Sequence, residues 1–183
     1  MDCTCQDCIG MTRRSVVTGF TCVAVLPAAT VAHAATPSAA EDERYMRIAL
    51  EEARQADFPF GAVIVRDNAI LARGRNLGRT DRDPTAHGEM VAIRRVVAEH
   101  GGRALRGTTL YTTGEPCPMC MGAILWSHVG RLVFAASIAE LATRMNQIMV
   151  TSAELAAKAS FAPISITGGV LADEAMALFA KKR

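Results

Sequence analysis

Two short stretches of this chain carry side chains that could hold an ion and move a proton. One is "AHGE", with His87 and Glu89; the other is "GEPCPMC", with Cys117 and Cys120. Taken alone, a Cys-x-x-C pair is either a redox couple or half of a metal site. Pro118, between the cysteines, suits the first turn of a helix, so both sulfurs would lie on one side of its start, one turn apart. The unpaired N–H groups and positive dipole end there favour thiolate over thiol. A catalytic zinc takes three protein ligands and keeps a fourth position open for water. Beyond residue 34 the histidines that could complete such a set are His87, His100 and His128. His100 falls at a helix C-terminus, where its charge suits the dipole, and His128 lies past the short helix that Pro118 opens. His87 falls in the first turn of its own helix, within reach of a metal over the helix end.

Glu89 follows His87 by two residues, a spacing that would separate the side chains in mid-helix. In a first turn both can lean over the helix end. With Thr85 expected as N-cap, a capping box would need its acid at position 88, which is glycine, so Glu89 is left without a capping duty. A lone H-x-E says little, and a lone P-C-x-x-C leaves zinc ribbon, redox pair and catalytic zinc all open. Together they supply three ligands, one open position and one free carboxylate. H-x-E followed by P-C-x-x-C is the signature of zinc deaminases, whose glutamate shuttles protons without binding the metal. Zinc in such a site lowers the pKa of its water to about 7, so that it ionises near neutral pH.

The elements that must position these groups are legible from periodicity. "EDERYMRIALEEARQA" places Met46, Ala49, Leu50 and Ala53 on one helical face. "FGAVIVRDNAILARGRN" reads as a β-hairpin turning at Asp67-Asn68. "DPTAHGEMVAIRRVVAEHGG" is a helix broken off by Gly101-Gly102, "TTLYTT" a third strand, Pro118 to Trp126 a helix, and "RLVFAA" a fourth strand. Helical stretches are expected over 139–149 and 152–159, then a short strand "ISIT" and a last helix from Asp173. This order predicts a three-layer α/β/α sandwich around a mixed sheet of about five strands.

"RNLGRTDRDPTAHGEMVAIRR" and "LYTTGEPCPMCMGAILWSHVGRLVFAAS" resemble the cytidine and deoxycytidylate deaminase superfamily. The likeness is strongest to its purine-acting branch of guanine deaminases, tRNA adenosine deaminases and small nucleoside deaminases. It runs from about Phe60 to Ser137, with an echo in "ITGGVLADEAMALF". The resemblance implies a cytidine deaminase-like fold, Zn2+ held by His87, Cys117 and Cys120, and Glu89 as proton shuttle. It implies that Asn76 hydrogen-bonds the base and that Phe60 and Ala62 belong to the pocket floor. It makes Trp126 a pocket-lining aromatic, for which ordinary core packing at a helix end is an equal explanation. It implies a homodimer with "AILWSH" in the interface. Gly88 stands where alanine is commoner, and Gly114 where a larger residue usually precedes Glu-Pro-Cys. "SIAELATRMNQIMVTSAEL" departs from the region that guanine deaminases close over substrate.

The chain has 183 residues, 50% of them apolar and 21% charged, enough for one ordinary globular domain. A net charge of +2 argues against a strongly electrostatic nucleic-acid binder. Arg13-Arg14, an uncharged stretch from Ser15 to Ala40 and Ala32-His33-Ala34 predict a twin-arginine-like signal peptide over 1–34. Cleavage is expected near Ala34/Ala35, leaving a deaminase domain over 35–183 with no membrane segment. Met11 is a second candidate start. Cys3, Cys5, Cys8 and Cys22 would leave with the signal, so the remaining Cys117 and Cys120 form no disulfide framework. The destination is then the bacterial periplasm, the substrate a free nucleobase or nucleoside (guanine or another amino-purine), and no nucleic acid is expected. Twin-arginine export of folded protein would let zinc load before the cysteines meet an oxidant. The other readings are a tRNA adenosine deaminase and a non-catalytic zinc module.

Overall fold

In the computed structural model, residues 38–180 are described. The expected signal over 1–34, its cleavage point and the basic Lys181-Lys182-Arg183 lie outside the described residues.

Helix α1 (Ala39–Arg54) starts where Ser38 accepts the backbone N–H of Glu41 and the Glu41 carboxylate reaches back to Ser38. This reciprocal pair satisfies two helix-start donors at once. Strands β1 (Gly61–Arg66) and β2 (Ala69–Arg75) follow as an antiparallel hairpin. Asp67 and Asn68 take positive φ angles of 48° and 62°, the left-handed pair whose twist matches that of the flanking strands. Helix α2 (Gly88–His100) and a 3₁₀ turn (Gly102–Leu105) lead into β3 (Thr109–Gly114). Then come α3 (Pro118–Trp126), β4 (Arg131–Ala136), α4 (Ile138–Ala142), α5 (Ser152–Ala156), β5 (Ser165–Thr167) and α6 (Ala172–Phe179).

The strands form one sheet in the order β2-β1-β3-β4-β5, with β1 antiparallel to both neighbours and β3, β4 and β5 parallel. The three-layer α/β/α architecture with a mixed five-stranded sheet is as expected. Alternate residues of the central strands feed two cores, which is why these strands read as nearly unbroken apolar runs. Ala62, Ile64, Leu110, Leu132 and Phe134 face the layer that contains Ile93, Val96, Met121 and Ile124. Val63, Val65, Tyr111, Val133 and Ala135 face Tyr45, Met46, Ala49 and Leu50 of α1. On that second side, Arg131 donates twice to the buried Asp42 carboxylate, at 2.6 and 2.7 Å, and the Tyr111 hydroxyl donates to it at 3.0 Å. The fork ties α1 to β3 and β4.

One close approach sets the position of the site. A Cβ at Gly74 of β2 would run into the carbonyl oxygen of Gly88 and the backbone nitrogen of Ala92. Only glycine lets the first turn of α2 lie directly on β2.

Two local expectations are corrected. Thr85 is not the N-cap of α2; His87 is. Thr85 instead donates its backbone N–H and its hydroxyl to Asp83, at 2.8 and 2.6 Å, and Arg94 bridges both residues from α2. The helix expected over 139–149 ends at Ala142. The Thr143 hydroxyl donates to the Glu140 carbonyl at 2.7 Å, a local bond that competes with helix continuation. Thr151 then caps a separate helix, α5, with Glu154 closing the box. Among the described residues, no helix is long and apolar enough to cross a membrane.

Candidate metal and active site

His87 and Cys117 are the N-cap residues of α2 and α3, both with extended backbone (φ −68°, ψ 158° and φ −62°, ψ 165°). Neither side chain turns back to cap its own helix. Both instead reach a common point where Cys120, in the first turn of α3, also arrives. His87 Nδ1 lies 3.7 Å from Cys117 Sγ and 3.5 Å from Cys120 Sγ. All three ligand atoms lie within 4.8 Å of one another. Zn–S and Zn–N bonds in a tetrahedral site put nitrogen and sulfur about 3.6 Å apart, so the set fits a zinc ion with one position left over. A disulfide does not occupy this place: both cysteines are free.

The electrostatics are those of a site arranged for a cation. Cys117 is pushed down to about 4, first by the hydrogen bond from Cys120 and then by His87. Cys120 is pushed up, first by that same bond and then by burial. Without metal the two sulfurs therefore share one proton, which a bound cation would displace. His87 is raised by its hydrogen bond to Cys117.

Glu89 stands beside this cluster and outside it. It is 4% exposed, and burial raises its carboxyl above the usual range. The Thr112 hydroxyl of β3 donates to its Oε1 at 3.2 Å. A buried carboxylate with one such bond has lone pairs left for a proton in transit.

A cavity of about 320 Å³ opens over the cluster, bordered by Asn76, His87, Glu89 and Cys117 together with Phe58 and Phe60. The far wall is Leu141 and Met145 to Ile148. Asn76 is buried; its Oδ1 accepts the Gly78 N–H at 3.1 Å, so its side-chain NH₂ is the group left for a ligand. The Phe60 carbonyl accepts the Asn76 N–H at 2.9 Å, joining the two residues. The Phe60 ring explains Gly114: a Cβ there would come within 2.8 Å of that ring and 3.0 Å of Leu141.

The sequence-predicted residues thus divide. His87, Glu89, Cys117, Cys120, Asn76 and Phe60 converge. Ala62 does not border the cavity; it is fully buried in β1, on the α2 and α3 side of the sheet. Trp126 neither lines the cavity nor packs in the core. It is 74% exposed at the far end of α3 and stacks on Phe161, ring centroids 4.6 Å apart. Sequence reasoning missed Glu115, Phe58, Thr112 and the wall from Met145 to Ile148. Glu115 carried a signal, being an acid in the same short run as the cysteine ligands.

A family model, the cytidine and deoxycytidylate deaminase zinc-binding region, matches residues 39–136. The guanine deaminase of Bacillus subtilis (strain 168) is 51% identical over 78 residues, 43% of this chain and 50% of that protein. The tRNA-specific adenosine deaminase of the same organism is 44% identical over 100 residues, 52% of this chain and 62% of that protein. The chain therefore spans between half and two thirds of the length of these two relatives. A solved structure of guanine deaminase from Nitrosomonas europaea superposes with a TM-score of 0.66 at 27% identity, covering 76% of this chain and 82% of that one. The match spans more than half of the chain and includes the cluster of one histidine and two cysteines: this protein belongs to the zinc-binding cytidine and deoxycytidylate deaminase family.

Proposed function

We propose that this protein is a hydrolytic deaminase of a free nucleobase or nucleoside, with guanine or another amino-purine as substrate. The observation that carries the reading is the pairing of a complete three-ligand cluster with a buried, unligated Glu89 at the floor of one cavity. Neither Glu89 nor the free amide of Asn76 is needed merely to hold a metal.

His87, Cys117 and Cys120 would hold Zn2+, which in such a site makes water acidic enough to ionise near neutral pH. The net reaction replaces a ring C–NH₂ by C=O, consuming water and releasing ammonia. Glu89 takes one proton from the attacking water and passes it to the ring nitrogen, then takes the second from the hydroxyl so formed on the ring carbon and passes it to the departing amino nitrogen. A carboxyl raised by burial suits both directions of transfer, since an effective acid–base group titrates near working pH. The Asn76 NH₂ donates to a ring carbonyl or ring nitrogen and sets the base in register. Phe58 and Phe60 offer aromatic surface to the ring.

Similarity to a tRNA-specific adenosine deaminase supports a second reading, adenosine in an RNA loop, with the same chemistry. Export argues against it. Arg13-Arg14, the uncharged stretch after them and Ala32-His33-Ala34 support a twin-arginine signal over 1–34, a deaminase domain over 35–183 and a periplasmic location. The exposed Trp126–Phe161 stack is the surface on which a homodimer would form.

The test is ammonia release by zinc-loaded protein from guanine, adenine, adenosine, cytosine and cytidine, beside a tRNA anticodon stem-loop. The reading expects turnover of at least one free base or nucleoside. Turnover of the RNA alone would replace it with the second reading, and silence on every compound would refute both.

A further inference from the structure

Glu115 borders the substrate cavity, is 8% exposed, and has a job outside the metal cluster. Its Oε2 accepts the backbone N–H of Ile138 at 2.9 Å, and its Oε1 accepts that of Ser152 at 2.8 Å. Ile138 is the first residue of α4 and Ser152 the first of α5. One carboxylate therefore binds the starts of two successive helices. Each bond is charge-assisted and sits at the positive end of its helix.

Between those two anchor points runs the segment that forms the far wall of the cavity. After α4 ends at Ala142, residues 143–151 take up no helix or strand before α5 begins. Met145, Asn146, Gln147 and Ile148 border the cavity from within it. Ile148 and Met149 are large, apolar and well exposed, so their burial does not hold the segment in place. Among the described residues, no side-chain hydrogen bond of Asn146 or Gln147 competes for their amides. Both remain available to donate to and accept from the edge of a bound ring. Ser152 is fully buried with an unpartnered hydroxyl, so its backbone bond to Glu115 is the polar contact it makes there.

We propose that Glu115 is a positioning residue that clamps the stretch from Ile138 to Ser152 at both ends, so that α4 and the 143–151 segment after it hold the Asn146–Gln147 amides as the specificity wall of the substrate cavity. Its chain neighbours extend the link. The Glu115 N–H donates to the Ala136 carbonyl at 2.7 Å, and Cys117 follows two residues on. The same short loop thus carries a metal ligand and the clamp for the wall opposite. This inference rests on the deaminase reading for its kinetic consequence, not for its structural one.

Two zinc-loaded, full-length variants test it. Glu115→Gln keeps the shape of the side chain but turns one acceptor into a donor facing a backbone N–H. Ser152→Pro leaves Glu115 untouched and deletes one of its two partners, at a first helical position that accepts proline and after a residue, Thr151, already extended. Hydrogen exchange of the ligand-free proteins reads the clamp, and steady-state kinetics with guanine read its consequence. Exchange over 143–151 should rise about tenfold or more in both variants, while α2 and β3 stay protected and zinc stays at one per chain. The KM for guanine should rise about tenfold in Glu115→Gln and less in Ser152→Pro, with kcat within about threefold of the parent. Unchanged exchange over 143–151 in both folded variants overturns the clamp. Raised exchange with an unchanged KM overturns the wall's role in specificity, as does an equal fall in kcat and kcat/KM. If the parent itself deaminates no base, the proposed function has failed, and the exchange result still decides the clamp.

Discussion

His87 and Cys117 hold equivalent positions on two different helices. Each is an N-cap with extended backbone, and each sends its side chain away from its own helix to a shared point where the ligand atoms stand 3.7 Å apart. The capping position is thus given over to metal ligation at both helices. It brings two positive dipole ends to bear on the site, with the third ligand, Cys120, in the first turn of α3 and the unligated Glu89 in the first turn of α2.

If that geometry holds a metal, the ligands act as a unit. Replacing His87 by Ala or Cys117 by Ser should reduce zinc from one per chain to a small fraction, measured by metal analysis after dialysis. The metal contributes folding free energy, so the melting temperature should fall as well. A His87→Ala protein that retains full zinc would remove the site from consideration.

The thiols of the metal-free protein should titrate apart. Cys117 is held at about 4, so it is a thiolate throughout the neutral range. An unfolded cysteine near its usual value of about 8.5 is not. The sign follows: the folded form favours the deprotonated thiol, so alkylation of Cys117 by iodoacetamide should stay nearly constant from pH 8 to 5. It should fall only as the pH drops through about 4. Cys120, pushed the other way and buried, should label slowly, and added zinc should protect both. Equal labelling of the two cysteines at pH 6 would contradict the arrangement.

Gly74→Ala tests the seat of α2. Its new Cβ meets backbone atoms of Gly88 and Ala92 rather than a movable side chain. The expected cost is about 1–3 kcal/mol of stability, read by denaturant unfolding, with weaker zinc binding because His87 shifts with the helix start. A variant as stable as its parent would mean that the contact is not as close as described.

Asn76→Ala should raise KM about tenfold and spare the metal, which is the effect of losing one hydrogen bond of about 1.4 kcal/mol. Because Oδ1 is already engaged by Gly78, Asn76→Asp should be worse than Asn76→Ala: it replaces the donor to the base by a negative charge. An Asn76→Asp enzyme with normal KM would show that this amide does not touch substrate.

The parts of this site legible in the sequence are those whose chemistry is local. His87 with Glu89 and Cys117 with Cys120 each lie within one helical turn, and strand and helix signals placed each pair where a loop enters a helix. The three-layer arrangement follows from the order of strand and helix signals along the chain and was legible for the same reason. What was hidden depends on contacts between distant segments. Thr85 looks like a cap until Asp83 and Arg94 are seen to claim it. The apolar spacing over 139–149 looks helical until Thr143 bonds back to Glu140 and Glu115 fixes the next helix start at Ser152. Trp126 sits at the end of a helix whose first turn is in the site, yet nine residues of rise carry it away to the surface, where Phe161 meets it.

The central claim is that Glu89 moves protons at a site whose metal it does not bind. Glu89→Gln keeps the size of the side chain and leaves the ligand set intact. The direct measurement is ammonia release with guanine, beside zinc content, for parent and variant. The account predicts full zinc in both and a kcat lower by about 10²–10⁴ in the variant. A Glu89→Gln protein that releases ammonia at the parental rate with its zinc in place would contradict it.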